Sequence, residues 1–363
     1  MKKLYKYYFL IILLGGAIQI LKAQDPVYSH FWVDKLYLNP ALAGSDKGLS
    51  ATMMMRYQWP KITSDFAVYG VSISSFEPNL SGGIGFTAMQ HVEGEGIQKT
   101  SEFSFTYSYK ILDPKKRRWE LDLGIRVGYL QRNIDFSKLI FSDQLDPVNG
   151  LIYTSQAELP PGDFTGAFNA NTGLDLRFFT SKKQRSFINI GFSANNITRP
   201  KFSLLYLESC LPIRYSVYGS LTIPVSPWSG KYNYIFKPMF MHTRQGTFQS
   251  SDMRLTSIGI QTASDRIFGG VYFRSAEVYN LPRRDALFFN FGFNWISRQT
   301  TYSFSYGYDL NVSNLGPNTG GSHEFALLAN IDEFRIFKNL NSLGRRMLKH
   351  CPDFKPIGGL KTL

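Results

Sequence analysis

The sequence has little cysteine, few charged residues and, after its first segment, no long hydrophobic run. Two of its 363 residues are cysteine and no CxxC pair occurs, so neither a zinc ribbon nor a dithiol redox centre is indicated. Charged residues make up 18% of the chain, and their formal sum is +13. The basic residues form no single stripe, which argues against nucleic-acid binding. No run of about 18 apolar residues follows residue 21, which excludes membrane-spanning helices.

Catalytic motifs are also missing. No Walker sequence and no Gly-x-Ser-x-Gly occurs, and the five histidines lack the spacing of metal ligands. The sequence Gly83-x-Gly85-x-x-Ala88 superficially fits a dinucleotide fingerprint, but it lies in an alternating strand without a following helix. We therefore predict that the protein is not an enzyme and has no catalytic residues, no cofactor and no metal.

The first residues are typical of an export signal. Residues 1–6 are basic, residues 7–21 are apolar but shorter than the ~20 residues of a spanning helix, and Ala23 is a small residue before Gln24. We predict that residues 1–23 form a signal peptide that is cleaved after Ala23.

Aromatic residues are abundant at 15% of the chain, and they alternate with small polar ones. Residues 101–110 place Phe103, Phe105, Tyr107 and Tyr109 on one face of a strand and Ser or Thr on the other. Residues 120–130, 287–295 and 301–310 alternate in the same way. Strands of ~9–11 residues cross a bilayer when tilted, with one face toward lipid and the other toward a lumen. A soluble β-sandwich is the alternative, but 363 residues are many for one sandwich.

Strand counting predicts the topology. The predicted strands begin near residues 49, 65, 82, 98, 118, 164, 186, 212, 233, 247, 266, 284, 300 and 321. About 14 strands make a transmembrane antiparallel β-barrel, which we place at 48–331, and an even count puts both termini in the periplasm. Short polar connections alternate with longer ones at 132–163, 199–211 and 313–320, which we expect outside the cell.

Residues 24–45 have neither strand nor helical periodicity, yet they carry Tyr28, Phe31, Trp32 and Tyr37. A tucked-in N-terminal arm is one interpretation. Alternatively, residues 24–47 form a plug at or in the periplasmic mouth of the barrel, with its aromatic side chains on the lumen wall. Proline 40 fixes its own φ and restricts the residue before it, so we expect a turn at residues 38–41 before the first strand.

Two stretches carry a family resemblance. The first comprises Gln24, Asp25, Pro26 and Ser29, then Leu36-Tyr37-Leu38-Asn39-Pro40-Ala41, then Ala43-Gly44-Ser45. The second is Thr319-Gly320-Gly321-Ser322-His323-Glu324, and residues 211–215 add a weaker match. These stretches resemble the PorP/SprF family of type IX secretion system outer-membrane proteins. The resemblance implies that the first set contacts a partner or forms the plug, and that the second set enters the final strand.

The second stretch also has a physical interpretation. Gly320 and Gly321 allow a bulge or sharp turn. In a regular strand, His323 and Glu324 point to opposite faces, so they cannot form a simple acid–base pair. We predict that both have a structural role in closing the barrel.

The resemblance implies a function in secretion. PorP/SprF proteins are associated with export and cell-surface retention of large adhesins, including gliding adhesins, through the adhesin's C-terminal domain, and some members contact a periplasmic, peptidoglycan-associated partner. On this hypothesis the protein is a binding module in the outer membrane that contacts lipid, a secreted adhesin and periplasmic machinery. We expect it to bind no nucleic acid. A transporter of hydrophobic solutes and a general porin are the alternatives.

Residues 332–363 continue past the last predicted strand as a basic tail. Their apolar residues are spaced loosely as an amphipathic helix that Gly344 interrupts. The tail is either disordered or a docking element for a periplasmic partner. The predicted topology separates Cys210 from Cys351 by the membrane, so we expect no disulfide between them.

Overall fold

The computed structural model describes residues 28–46, 48–62, 66–94, 97–112, 118–157, 162–180, 186–201, 210–225, 234–247, 250–278, 281–312, 317–332, 334 and 336. The predicted signal peptide, the tail beyond residue 336 and Cys351 lie outside these residues. Cys210 lies within them and is exposed as a free thiol.

Fourteen antiparallel strands form one closed barrel, as predicted. They are β1 Leu49–Gln58, β2 Phe66–Glu77, β3 Gly82–Glu93, β4 Gln98–Leu112, β5 Trp119–Ile134, β8 Phe164–Phe179, β9 Phe187–Asn195, β10 Arg214–Val225, β11 Tyr234–Thr247, β12 Ser250–Ser264, β13 Ile267–Val278, β14 Leu281–Ser297, β15 Thr300–Asn311 and β16 Ser322–Ile331. Two further short strands, β6 Leu145–Asp146 and β7 Gly150–Leu151, form a separate hairpin.

The strands follow one another around the barrel in chain order, and β1 pairs with β16 to close it. In that closing pair Leu49 lies opposite Ile331, and Gln58 lies opposite Ser322. Each predicted strand start falls within three residues of the observed one. The alternation of residue types therefore located the strands correctly along the whole barrel.

The two faces of the wall differ as the alternation predicts. In β4, Phe105 is 71% exposed on the outside, whereas its neighbour Ser104 is 0% exposed on the inside. The outward aromatic residues of β14 and β15 are exposed in the same way, and the inward serines and threonines are buried. Among the residues that the structure describes, no helix has the length and hydropathy needed to cross a membrane.

The two ends of the barrel differ in their connections. At one end, which we call the short-connection end, lie residues 78–81, 265–266 and 298–299, together with the start of β1 and the end of β16. At the other, the long-connection end, β5, β9 and β15 end and β8, β10 and β16 start, and the three longest connections of the chain join them. The longest connection, between β5 and β8, contains two 3-10 turns and the β6–β7 hairpin.

The core of the protein is inside the lumen. Residues of the N-terminal segment, among them Tyr28, Phe31 and Trp32, pack there against Met54, Tyr272 and other inward side chains of the wall. This segment contains a short helix, Lys35–Leu38, and a 3-10 turn, Pro40–Leu42. A wall that exposes apolar side chains outward and polar ones inward thus surrounds a core supplied by the chain's own N-terminal segment.

Candidate functional site

Residues 28–46, which we call the plug, occupy the lumen. Ser29 contacts Glu324, which lies near the start of β16 at the long-connection end. Gly44 lies at the other end, where a Cβ on it would be 2.8 Å from the Cα of Gly83 in β3. The plug therefore extends through much of the depth of the lumen, beyond the single mouth at which we had predicted it.

Two capped turns give the plug its shape. The carboxylate of Asp34 accepts the backbone N–H of Tyr37 at 3.2 Å and caps the helix Lys35–Leu38. The side-chain oxygen of Asn39 accepts the N–H of Ala41 at 2.9 Å and caps the turn Pro40–Leu42. Asp and Asn are favoured caps, and a proline in the first turn loses no hydrogen bond. The sequence around Asn39 and Pro40 thus forms the turn predicted there.

One end of the plug is held by the carboxylate of Glu324. Its two oxygens accept the backbone N–H groups of Ser29 at 2.7 Å and His30 at 2.8 Å. The guanidinium of Arg56 in β1 donates to the same carboxylate. Glu324 is fully buried, so these bonds stabilise a charge that would otherwise be costly in the interior.

A second buried carboxylate completes this arrangement. Asp309 in β15 accepts the hydroxyl of Ser29 at 2.6 Å and the guanidinium groups of Arg56 and Arg274, each at 3.0 Å. Arg274 in β13 also donates to the Ser29 hydroxyl and to Asp285. We call Ser29, Arg56, Arg274, Asp309 and Glu324 the charged anchor. It ties the plug to β1, β13, β15 and β16.

Aromatic rings pack beside the charged anchor. The Trp32 ring stacks on Tyr272 of β13 with centroids 4.3 Å apart. The His30 ring meets the edge of Phe288 in β14 at 4.6 Å, and Phe31 packs on Trp32 at 4.8 Å. Burying each large apolar side chain contributes ~1.5–3 kcal/mol, so these contacts help to offset the entropy cost of ordering the plug.

The side-chain amide of Asn39 holds the middle of the plug to the opposite wall. Its nitrogen lies 2.9 Å from the carbonyl oxygen of Leu174 in β8 and 3.2 Å from that of Phe192 in β9. It lies 3.0 Å from the hydroxyl of Tyr218 in β10. Two amide hydrogens serve these three acceptors, and the side-chain oxygen serves the cap of the next turn. Asn39 therefore links three wall strands to the plug with one side chain.

Five small residues form the wall around this middle region. They are register partners on neighbouring strands and we call them the small-residue belt: Gly83, Ser108, Gly124, Gly173 and Ser193. The hydroxyl of Ser108 donates to the carbonyl of Ala43 at 2.7 Å, and that of Ser193 donates to the carbonyl of Leu38 at 3.0 Å. The serines thus satisfy plug carbonyl groups that would otherwise be buried without partners.

The glycines of the belt allow the plug backbone to touch the wall. A Cβ on Gly124 would lie 2.1 Å from the backbone nitrogen of Ala41. A Cβ on Gly173 would lie 1.9 Å from the Asn39 side-chain oxygen, and one on Gly83 would lie 2.1 Å from the Ala43 carbonyl oxygen. No side chain fits at these positions while the plug keeps its place, which is the usual reason for glycine inside a strand.

A second charged cluster lies in the lumen toward the short-connection end. Lys110 pairs with Glu120 and with Asp122, the latter at 3.0 Å, while Arg177 pairs with Glu120 at 3.2 Å and with Asp175 at 3.2 Å. Asp175 also accepts the hydroxyl of Tyr218 at 2.7 Å, the same hydroxyl that Asn39 contacts. The two cations and three carboxylates of this cluster pair with one another within the wall, and the uncharged side chains of Tyr218 and Asn39 connect the cluster to the plug.

The first predicted motif lies in the plug as far as the structure describes it. Gln24, Asp25 and Pro26 lie outside the described residues. Ser29 belongs to the charged anchor, and the remaining residues face the wall: Tyr37, Leu38, Asn39, Pro40, Ala41 and Gly44. The Tyr37 hydroxyl accepts a hydrogen bond from Arg214 of β10 at 2.6 Å. The structure thus brings this motif together along a single path through the lumen.

In the second predicted motif, Glu324 belongs to the charged anchor and His323 lies on the outer face of the barrel. The turn residues Gly320 and Gly321 both have positive φ, at +83° and +71°, which favours glycine. Thr319 accepts the Asn311 side chain at 2.7 Å, and Ser322 lies 3.3 Å from the Arg56 guanidinium. Glu324 points into the lumen, whereas His323 pairs with the hydroxyl of Tyr306 on the outer face at 2.8 Å. The two neighbours point to opposite faces, as expected.

Sequence reasoning missed the wall residues that hold the plug. Arg56, Arg274 and Asp309 are single charged residues at inward positions of alternating strands, and the belt glycines stand at inward positions too. A charged residue or a glycine at an inward position of a strand is the signal that could have identified them. Inward residues face the lumen of the barrel, so such a residue is placed to contact whatever occupies the lumen. The sequence does not show which residues of the plug these wall residues contact, so the signal alone could not assign them to a site.

The site is suited to holding a segment of chain, because its side chains bond to the backbone of the plug. In the described part of the chain, no three His, Cys, Asp or Glu side chains are placed to hold a metal ion. The buried charges of the anchor are engaged with one another and with backbone amides. A closed barrel with an apolar outer face and a lumen filled by its own N-terminal segment is a transmembrane β-barrel of the outer-membrane type.

Comparison with known proteins gives the family. The chain belongs to the family described as type IX secretion system membrane protein PorP/SprF, whose model matches residues 20–328. No curated protein matches the chain. The residues that the family model matches include both predicted motifs and the barrel up to residue 328, within β16.

Several solved barrels are similar to the chain at low sequence identity and with TM-scores below 0.5. The toluene transporter TbuX of Ralstonia pickettii is 9% identical, with 82% of this chain and 92% of that chain covered and a TM-score of 0.43. A FadL homologue of Pseudomonas aeruginosa is 11% identical over 82% and 93% of the two chains, with a TM-score of 0.40. CdiB of Acinetobacter baumannii is 8% identical over 78% and 60%, with a TM-score of 0.36.

Proposed function

We propose that the protein is a non-enzymatic outer-membrane barrel of the type IX secretion system that helps to export a large secreted adhesin and anchors it at the cell surface. The adhesin is held through its C-terminal domain, and gliding adhesins are one class of client. Family membership supports the link to type IX secretion. In this proposal the short-connection end, where the barrel's first strand starts and its last one ends, faces the periplasm.

The observation that carries the proposal is the filled lumen. The plug is bonded to the wall by the charged anchor on one side and by Asn39 and the small-residue belt on the other. A general porin needs an open polar lumen, and a plug held in this way obstructs one. A barrel that does not conduct is suited to a role as a rigid binding module, with its connections available for contact with other proteins.

The chain that follows β16 supports a periplasmic contact in this orientation. The backbone N–H of Ile336 donates to the buried carboxylate of Glu77 at 2.7 Å, so Ile336 lies at the short-connection end. We propose that the basic residues beyond it, within 332–363, contact a periplasmic, peptidoglycan-associated or type IX machinery protein. Deletion of residues 337–363 should then leave a folded barrel that no longer retains that protein, and unchanged retention would contradict this part.

The experiment for the main proposal is affinity purification of the tagged barrel from cells that secrete through the type IX system. We expect a large secreted protein with a type IX C-terminal domain to co-purify. Removal of that domain from the secreted protein should abolish its recovery, while the barrel's own yield stays unchanged. Recovery of the truncated protein at the same level, or recovery of no such secreted protein with the intact barrel, would refute the proposal.

Bilayer conductance separates this function from a porin. The purified intact protein should pass little current, and deletion of residues 24–34 should raise the current strongly, because the deletion removes the anchored end of the plug. A high, steady conductance of the intact protein would favour the porin alternative.

A further inference from the structure

The connection between β5 and β8 carries an ordered hairpin at the long-connection end. Strands β6 and β7 pair Leu145 with Leu151, and Gly150, the first residue of β7 after the turn, has a φ of +76°. The carboxylate of Asp146 accepts the N–H groups of residues 148 and 149, at 2.9 and 2.8 Å, as Asp commonly does in turns. The carboxylate of Asp143 accepts the N–H of Gln156 at 2.7 Å. The hairpin is thus held by hydrogen bonds within its own connection.

The ordered hairpin presents apolar side chains to the surroundings. Val148 is 89% exposed at its tip. Five more apolar residues of the connection are each at least half exposed: Ile140, Leu145, Leu151, Ile152 and Tyr153. A grouped apolar surface on an ordered loop marks an interaction site, because single exposed apolar residues are common but clustered ones are not.

The outer face of β5 changes in character before the chain reaches the hairpin. Strands β5 and β8 are each 16 residues long, whereas ~9–11 residues suffice to cross the bilayer. Above the outward aromatic pair Tyr129 and Phe168, the outer face of β5 becomes polar with Gln131 and Asn133, which are hydrogen-bonded to each other at 3.1 Å. Phe164 of β8, opposite Asn133, is the last outward aromatic residue of this strand pair. The apolar residues of the hairpin follow the polar step of β5 along the chain, which favours a partner in water over lipid.

The charge of the hairpin restricts the partner further. Residues 139–157 contain two Asp and no Lys, Arg or His, in a chain whose formal charge is +13. Backbone N–H groups lower the pKa of both carboxyl groups, with the N–H of Gln156 acting on Asp143 and that of Asn149 on Asp146. Both are therefore charged at neutral pH, beside the exposed apolar side chains, and complement a face that carries basic residues.

We infer that the β6–β7 hairpin is the surface on which the barrel holds its secreted client, through an apolar face of that client flanked by lysine or arginine. This inference rests on the proposed anchoring function and adds the location and chemistry of the contact. Burial of the exposed side chains supplies the affinity, and the two carboxylates select a basic rim and orient it.

The test compares two variants of the full barrel. Val148→Asp combined with Leu151→Asp places charges on the apolar face of the hairpin. Ile62→Asp makes the same chemical change at an exposed residue of another connection at the same end of the barrel. Both should give wild-type yields of heat-modifiable barrel. We expect the amount of secreted client retained by the hairpin variant to fall by about tenfold or more. The control should retain as much client as the wild type.

A photo-crosslinking residue at position 148 in whole cells gives an independent measurement. A cross-link to the client that weakens as salt rises supports the inference. A cross-link to lipid, or equal client retention by the hairpin variant and the wild type, would overturn it while leaving the anchoring function intact. Failure of the wild-type barrel to retain any client would instead refute the anchoring function. That result is seen with the wild-type protein alone, so it is distinguishable from failure of the hairpin inference.

Discussion

The plug is held at two places by different kinds of interaction. At the charged anchor, two carboxylates and two guanidinium groups surround Ser29 near the long-connection end. At the small-residue belt, backbone touches backbone, and the contacts are hydrogen bonds of Asn39 and of two serines. Charge fixes one end of the plug, and shape fixes the middle.

This difference predicts different sensitivities. A buried ion pair contributes little when intact, but the loss of one partner leaves the other charge uncompensated. The belt contains no charge, so it tolerates loss of one hydrogen bond but not added volume, because nothing near the glycines can move aside without shifting the plug backbone. Substitutions that remove charge should disturb the first place most, and substitutions that add atoms should disturb the second.

The largest effect is expected at Glu324. Glu324→Ala removes one of the two carboxylate partners of Arg56 and leaves the backbone N–H groups of Ser29 and His30 without an acceptor, which should destabilise the barrel by ~3–5 kcal/mol. Glu324→Gln keeps an acceptor oxygen and should cost less. The midpoint temperature of heat modifiability on gels measures both. Equal midpoints for Glu324→Ala and the wild type would show that the anchor does not hold the plug.

The next effect is expected at Gly124. Gly124→Ala places a methyl group against the backbone of Ala41, and overpacking of this kind costs ~1–3 kcal/mol. We expect the plug to shift and the bilayer conductance to rise. Gly219→Ala is the matched control, because its nearest atom would be an ordinary 3.6 Å away. A conductance increase in both variants, or in neither, would contradict the role given to the belt.

An effect of similar size is expected at Asn39. Asn39→Ala removes the cap of the next turn and leaves the carbonyl groups of Leu174 and Phe192 without this donor, which should cost ~1–3 kcal/mol. Asn39→Asp keeps the capping oxygen but cannot donate to the carbonyls. Limited proteolysis of the plug in purified barrels should therefore rank Asp between the wild type and Ala if both functions matter. Wild-type resistance of the Ala variant would remove Asn39 from the site.

The smallest effect is expected at His323, next to Glu324 in sequence. His323→Ala removes one contact with Tyr306 on the outer face and should change stability by less than ~1.5 kcal/mol. The same heat-modifiability assay compares it with Glu324→Ala. A larger loss at His323 than at Glu324 would reverse the assignment of inward and outward faces in this motif.

The barrel was predictable because its signal is local. Phe103, Phe105 and their polar neighbours alternate within one strand. Successive side chains of a strand point to opposite faces, so the alternation reflects an apolar environment outside the wall and a polar one inside it. The turn at Asn39 was predictable for the same reason, since the cap and the proline act on adjacent residues.

The contacts of the plug were not predictable in the same way. The bond from Ser29 to Glu324 joins residues 295 positions apart, and no periodicity relates them. Similarly, Gly124 and Gly173 are ordinary strand glycines until Ala41 and Asn39 are placed against them. Local pattern identifies which residues face inward, but it does not say what they face.

The bond between Ser29 and Glu324 also has a consequence for the order of assembly. Ser29 is made early and Glu324 late, so the plug cannot take its final bonds until the last strand has been added. Contacts between such distant residues form slowly, because the intervening chain must first be ordered. A chain truncated before β16 would lack both the strand that closes the seam with β1 and the carboxylate that holds the plug. The same few residues thus complete the wall and secure its contents, and an unfinished barrel is left with neither.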